Sequence, residues 1–196
     1  MPQQPSVREE SPTRDRIVDA ARTCFMRDGV RRTTMSHVAE EAGVVRQTLY
    51  DWVSSKEELV DLAMVRRTRE LGELIRARGV DDGLAVGEQI VDLLTAMVQL
   101  AGSDPEFELL AQAMPEGHAF SFLAGPSALT DMVEGLLAPF FERARAEGRL
   151  REGRGTRALA AWTQSVLAPL RNRADLSPTE IEETLRYFLL PALLRD

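Results

Sequence analysis

Three features of the chain predict an all-α protein of about nine helices. Apolar residues recur at three- and four-residue spacing along most of its length. No window alternates apolar and polar residues for long enough to make a strand. Glycine, proline and cap-forming residues punctuate the periodic segments at regular intervals. At 196 residues the chain can bury a genuine core, in one large domain or two small ones, and 44% hydrophobic with 28% charged residues is ordinary globular composition.

The first helix is capped by Ser11 or Thr13 and runs to about Asp28, with Ile17, Ala21, Cys24 and Phe25 on one face and Gly29 at its end. Residues 1–12 hold charges and prolines but no apolar run, and are expected to be a disordered tail and not a secretory signal. Thr34 caps a second helix, Met35–Ala42, whose Val38, Ala39 and Ala42 turn inward. Gly43 supplies the positive φ that reverses the chain, Val44 packs the turn, and Arg46 to Tyr50 open a third helix. Ser55 and Glu58 form a capping-box pattern ahead of a long fourth helix reaching about Arg78, where Gly79 and Asp81-Asp82-Gly83 break it.

Helices are then predicted over Leu84–Ala101 and, after Gly102-Ser103-Asp104-Pro105, over Glu106–Met114. Glycine and proline bracket a short segment, His118–Ala124. A helix follows over Ala128–Glu147, with Pro139 expected to kink it. The arginine-rich connector 148–155 leads to two last helices, Thr156–Arg173 and Pro178–Leu194, the second opened by Ser177, Pro178 and Glu180. The expected division is 13–55 for an N-terminal three-helix unit and 56–196 for the remainder.

Composition removes several function classes. The single Cys24 excludes an internal disulfide framework or a multi-thiolate zinc site, and His37 and His118 have no metal-ligand spacing, so no metal or cofactor is expected. No nucleophile–base arrangement or phosphate loop is present, and no catalytic residue is assigned. The longest apolar runs are short and proline-broken, which predicts no membrane span and a soluble cytoplasmic protein. The net charge of −7 is uneven. Residues 11–56 carry eight basic and six acidic residues, while the rest is strongly acidic, as fits a protein that touches nucleic acid with one end.

Two short helices joined by a glycine turn are the layout of a helix-turn-helix, whose second helix lies in the DNA major groove. Leu49 and Val53 dock that helix. Arg46 and Gln47, at its N-terminus, suit guanine and adenine edges, Thr48 a thymine methyl or a phosphate, and Tyr50 a phosphate. Solvated polarity is the plain alternative for Arg46, Gln47 and Ser36, and equally for Arg31 and Arg32 in the preceding loop.

Residues 14–62 resemble the DNA-binding domain of the TetR family of bacterial transcriptional regulators. The shared elements are Ile17, Ala20, Ala21, Phe25, Gly29 and Thr34, then Val38, Ala39, Ala42, Gly43 and Val44, then Thr48-Leu49-Tyr50 and Ser55 to Leu59. The resemblance covers about a quarter of the chain. It implies DNA-backbone contacts by Thr34, Tyr50 and Lys56, and base or backbone contacts by Ser36, Arg46, Gln47 and Thr48. Four positions depart from the family pattern. Val45 stands where a serine-like cap is usual, at about 1 kcal/mol of capping. His37 replaces the acid that would complete a capping box with Thr34. Trp52 and Val53 stand where histidine and phenylalanine are frequent.

For the larger C-terminal part, the resemblance implies a small-molecule pocket between central helices and dimerisation through the last two. Candidate pocket residues are Met97, Leu100, Phe107, Leu110, Met114, Phe122, Phe140 and Trp162, whose flexible and flat side chains suit an apolar or aromatic ligand; each also fits an ordinary core. Candidate dimer residues are Leu167, Leu170, Leu185, Phe188, Leu189 and Leu193, on faces that serve equally to bury within one subunit. His118 is a polar anchor or a surface residue. The expectation is a homodimeric, ligand-responsive regulator, a repressor, whose partners are a palindromic double-stranded DNA operator and a small-molecule effector. The alternative is a helical carrier or enzyme with a vestigial helix-turn-helix.

Overall fold

The computed structural model describes residues 12–114, 128–151, 153–171, 173 and 175–195. The described residues are all helix and connections; one isolated bridge, Leu150 with Leu194, is the only β pairing among them. The chain divides into two compact units, Met1–Met64 and Val65–Asp196.

The first unit holds α1 (Pro12–Asp28), α2 (Met35–Glu41), α3 (Arg46–Trp52) and the start of α4 (Lys56–Arg78). Pro12, expected in the tail, is the first residue of α1 and Thr13 lies inside it, so Thr13 is not its cap; Ser11 and the tail residues before it fall outside the described residues. The apolar periodicity becomes the core: Ile17, Ala21, Cys24 and Phe25 of α1 are buried with Val38 and Ala39, Leu49, Val53 and Leu59. Thr34 caps α2 through its hydroxyl, which accepts from the His37 N–H at 3.3 Å. Gly43 sits at φ 63°, and the Val44 N–H reaches back to the Ala39 carbonyl at 3.0 Å, the Schellman reversal that only a residue tolerant of positive φ makes cheaply.

The capping box expected at Ser55 forms only by half. Ser55 Oγ accepts from the Glu58 N–H at 3.2 Å, but the Glu58 carboxylate turns to Ser54, taking its N–H at 2.8 Å and its hydroxyl at 2.6 Å. One oxygen of the Glu58 carboxylate accepts from both donors of Ser54, which outcompetes the single reciprocal bond of a box.

The second unit is built around α5 (Val86–Ser103), apolar on nearly all sides. It packs against α6 (Pro105–Ala113), α7 (Ala128–Ala146), α8 (Thr156–Arg171) and the last helix. That last helix begins as α9 (Pro178–Thr184), widens through a π turn at Leu185–Leu189, and ends as α10 (Leu190–Leu193). The expected unbroken α-helix to Leu194 is therefore modified. Pro191 has no N–H for the carbonyl one turn back, and the register loosens just before it, the Leu190 N–H bonding to the Leu185 carbonyl. Ser177 and Glu180 form a complete capping box. Helix α7 is continuous through Pro139, which lies on its exposed side.

Asp104 does the most local work in this unit. Its carboxylate caps α6 by accepting the Phe107 N–H at 2.7 Å and binds the Arg67 guanidinium with both oxygens. Arg67 also holds Glu70 at 2.8 Å. Burial pushes the Asp104 carboxyl up, but the Arg67 hydrogen bonds and the helix N–H outweigh it and hold the group below its ordinary value.

Candidate DNA interface and ligand cavity

Helix α3 exposes one polar face and buries Leu49 and the following Val53. On the open face Arg46 Nη2 donates to the Tyr50 hydroxyl at 3.3 Å, and its guanidinium lies 5.4 Å from the Tyr50 ring centroid. About 100° round the helix, Gln47 Nε2 donates to Asp51 Oδ1 at 3.2 Å. The i,i+4 spacing makes both pairs, and both side chains are pre-extended along the helix surface. Thr48 is half-buried, while Thr34 and Ser36 are exposed on and beside α2.

Lys56 sits differently from the phosphate contact that the resemblance implies. Its ammonium donates to the carbonyls of Val30 at 3.0 Å, Thr33 at 3.2 Å and Arg31 at 3.4 Å. An ammonium has three protons, and here all are directed at carbonyls of the loop between α1 and α2. Lys56 thus ties down the loop that carries Arg31, Arg32 and Thr34. Sequence reading missed this role because carbonyl acceptors leave no residue-type signature.

Val45 is the N-cap of α3, extended at φ −72° and ψ 150°, with no side-chain cap bond, as its replacement of a hydroxyl residue predicts. It is 71% exposed beside Arg46.

In the second unit, α4, α5, α7 and α8 enclose a cavity of about 60 Å³. Its walls follow helical periodicity: Thr68, Leu71 and Ile75 of α4; Met97, Val98 and Ala101 of α5; Leu129, Met132 and Val133 of α7; Gln164, Leu167, Ala168 and Arg171 of α8, with Phe107 of α6. Gly72 lets α7 approach: a Cβ there would stand 2.6 Å from Met132 Cγ.

Of the expected pocket residues, Met97 and Phe107 line this cavity. Leu110 and Met114 are buried elsewhere, Leu100 and Phe140 pack on the outside of the core, and Trp162 is 42% exposed. Phe122 and His118 lie outside the described residues. Leu167, expected at a dimer surface, lines the cavity instead, and Leu185, Leu189 and Leu193 are buried in the core of this chain; Leu170 packs against that core. Phe188 alone of that set is open, 70% exposed beside Tyr187 at 75%. Their rings meet edge to face at 4.9 Å. The cue that could have found the cavity was a polar residue within an apolar stripe, Thr68 on α4 and Gln164 with Arg171 on α8.

Residues 17–63 match the profile described as bacterial regulatory proteins, tetR family. Over 177 residues the chain is 31% identical to the transcriptional repressor KstR of Mycobacterium tuberculosis, covering 88% of this chain and 76% of KstR. The chain belongs to the tetR family of bacterial regulatory proteins. It is also 36% identical over 74 residues to the transcriptional regulator TtgR of Pseudomonas putida, 38% of this chain and 35% of TtgR. The chain spans about half or less of the length of several curated relatives it matches, 49% in one from Mycobacterium tuberculosis. Among solved structures, RolR in complex with resorcinol shares the fold at TM-score 0.70 and 16% identity, over 92% of this chain and 87% of that one. The repressor QsdR of R. erythropolis does so at TM-score 0.64 and 22% identity, over 94% and 96%. KstR, TtgR and QsdR are named as regulators or repressors of transcription and not as enzymes. No helix among the described residues is long and apolar enough to cross a membrane.

Proposed function

We propose that this family member is a repressor that binds a palindromic DNA operator as a homodimer and releases it when a small apolar or aromatic effector occupies the α4–α5–α7–α8 cavity. The observation that carries the DNA half is the α3 surface: Arg46, Gln47 and Tyr50 lie open on one face of a helix docked by Leu49, after a glycine turn. Arg46 and Gln47 read base edges, Thr34, Ser36, Thr48 and Tyr50 contact bases or phosphates, and Lys56 acts by fixing the loop before α2 and by its charge. Residues 13–55 form the reader and 56–196 the effector-binding and dimerising part. The dimer surface uses Phe188 and Tyr187.

Two readers on a two-fold axis meet half-sites about one DNA turn apart. An effector that binds better to the conformation with the wrong reader spacing weakens DNA binding by linkage. Gel-shift titration with the DNA flanking the gene tests the reading. Sequence-specific, salt-sensitive binding is expected, weakened about tenfold to a hundredfold by Arg46→Ala. Binding that survives loss of the whole Arg46–Tyr50 surface overturns the assignment.

A further inference from the structure

The two side-chain pairs on the open face of α3 act differently on the groups they join. A guanidinium carries five donors and no acceptor, so the bond from Arg46 to the Tyr50 hydroxyl leaves the character of Arg46 unchanged. Gln47 is another case. A primary amide has a donor end and an acceptor end, and a half-turn of its last torsion exchanges them.

Gln47 Nε2 donates to Asp51 Oδ1 at 3.2 Å, and both residues are exposed. A carboxylate only accepts, so the reversed amide would set Oε1 against Oδ1 and be repelled. Asp51 thereby decides which end of the amide is nitrogen. It takes one of the two Nε2 protons and leaves the second proton and Oε1 for a partner. One donor beside one acceptor complements the adenine edge, where N7 accepts and the N6 amino group donates. An amide free to turn over also offers its NH2 to guanine O6 or thymine O4, and its carbonyl to cytosine N4.

Asp51 is poorly placed to read a base itself. It is the sixth of the seven residues of α3 and lies about 6 Å along the axis beyond Gln47, whereas recognition helices present their N-terminal residues to base edges. Its charge is repelled by phosphate, which lowers affinity for DNA of any sequence. A group that weakens binding in general while holding a reader in one orientation favours specificity over affinity. In water an i,i+4 pair of this kind favours its bonded form by only about twofold. In the groove the bases exclude water, and a reversed amide faces mismatched groups on Asp51 and on the base together, so the factor rises.

We propose that Asp51 is a positioning residue for base readout: it holds the Gln47 amide in one orientation and so restricts one base pair of each half-site to one that presents adenine to Gln47. This rests on the reading of α3 as the helix that enters the major groove, and adds to it what sets the choice at one position.

Selection of bound duplexes from a randomised DNA library by the full chain, followed by sequencing, gives the base preference at each position. Gln47→Ala is expected to flatten one position per half-site, which marks where Gln47 reads. At that position Asp51→Ala should lower the preference for adenine about threefold to tenfold, without weakening binding to random-sequence duplex, and Asp51→Glu should keep most of the preference. In the Gln47→Ala background, Asp51→Ala should change no base preference further. A pair that served only to stabilise the helix would weaken all sequences alike and leave the preference standing, and that result overturns the proposal. A preference altered by Asp51→Ala at another position, or altered still in the Gln47→Ala background, overturns it too, since Asp51 then reads a base directly. A preference at the Gln47 position for a base other than adenine overturns the orientation. If Gln47→Ala flattens no position, the proposal falls together with the base-reading role of Gln47. If the unaltered chain selects no sequence at all, the reading of α3 beneath it falls as well.

Discussion

Val45 offers no oxygen to the N–H groups at the start of α3, and its 71% exposure means that its methyl groups gain little from burial. Val45→Ser should therefore raise stability by about 1 kcal/mol, read as a higher midpoint in urea, because the hydroxyl supplies a cap and nothing is lost from the core. A fall in stability would mean that Val45 packs in a way its exposure does not suggest. Lys56 is the opposite case, a charged residue whose value is structural. Lys56→Met should destabilise the chain by about 1–3 kcal/mol, since three loop carbonyls lose a charged donor. A stability unchanged by the substitution would show those bonds to be worth no more than water. At this scale Val45 was legible in the sequence, because a missing hydroxyl can be read from residue type. The engagement of Lys56 was not, because its partners are backbone atoms that every residue shares.

Helix starts and stops were largely readable, because caps and positive-φ glycines act locally. Thr34, Gly43, Ser177 and Pro105 each stand where their chemistry requires. What escaped was set by competition or by tertiary contact: Glu58 choosing Ser54 over Ser55, the π turn before Pro191, and the double duty of Asp104 at α6. Asp104 carries a prediction of its own. Its side chain is 8% exposed and shares Arg67 with Glu70. Asp104→Asn keeps an α6 cap but removes the charge, and should cost on the order of 2 kcal/mol in urea denaturation, less than the ~3–5 of an isolated buried pair because Glu70 still holds Arg67. The folded-state pKa of Asp104 is depressed, so its contribution is fully present above the unfolded value of about 4 and is lost as pH falls through the lower folded value. The substituted chain should accordingly lose less stability than the original between pH 5 and the acid limit, and an identical acid profile would contradict the charged pairing.

Across the whole molecule, the sequence separated a mildly basic end from an acidic remainder and supplied the apolar faces of the last helices, but not which of those faces stays open. Both a core and a partner demand the same leucine spacing, and only packing distinguishes them: Leu185, Leu189 and Leu193 turn inward, while Tyr187 and Phe188 remain outside. The proposed dimer therefore hangs on the two aromatics. Phe188→Glu places a charge on a ring position that is 70% exposed, so the fold of the single chain should change by no more than about 0.5 kcal/mol. In a two-fold interface the same change appears on both sides, bringing two carboxylates towards one another where two apolar rings met. Sedimentation should show the unaltered chain as the proposed dimer and the altered chain as a monomer at the same concentration. Operator binding should weaken with it, because each reader then engages its half-site without the other tethered beside it. The salt dependence should drop as well, since one chain neutralises about half as many phosphates as two. A dimer that persists with Phe188→Glu would move the interface away from the π-turn aromatics, and a monomer that binds the full operator undiminished would remove the need for paired half-sites.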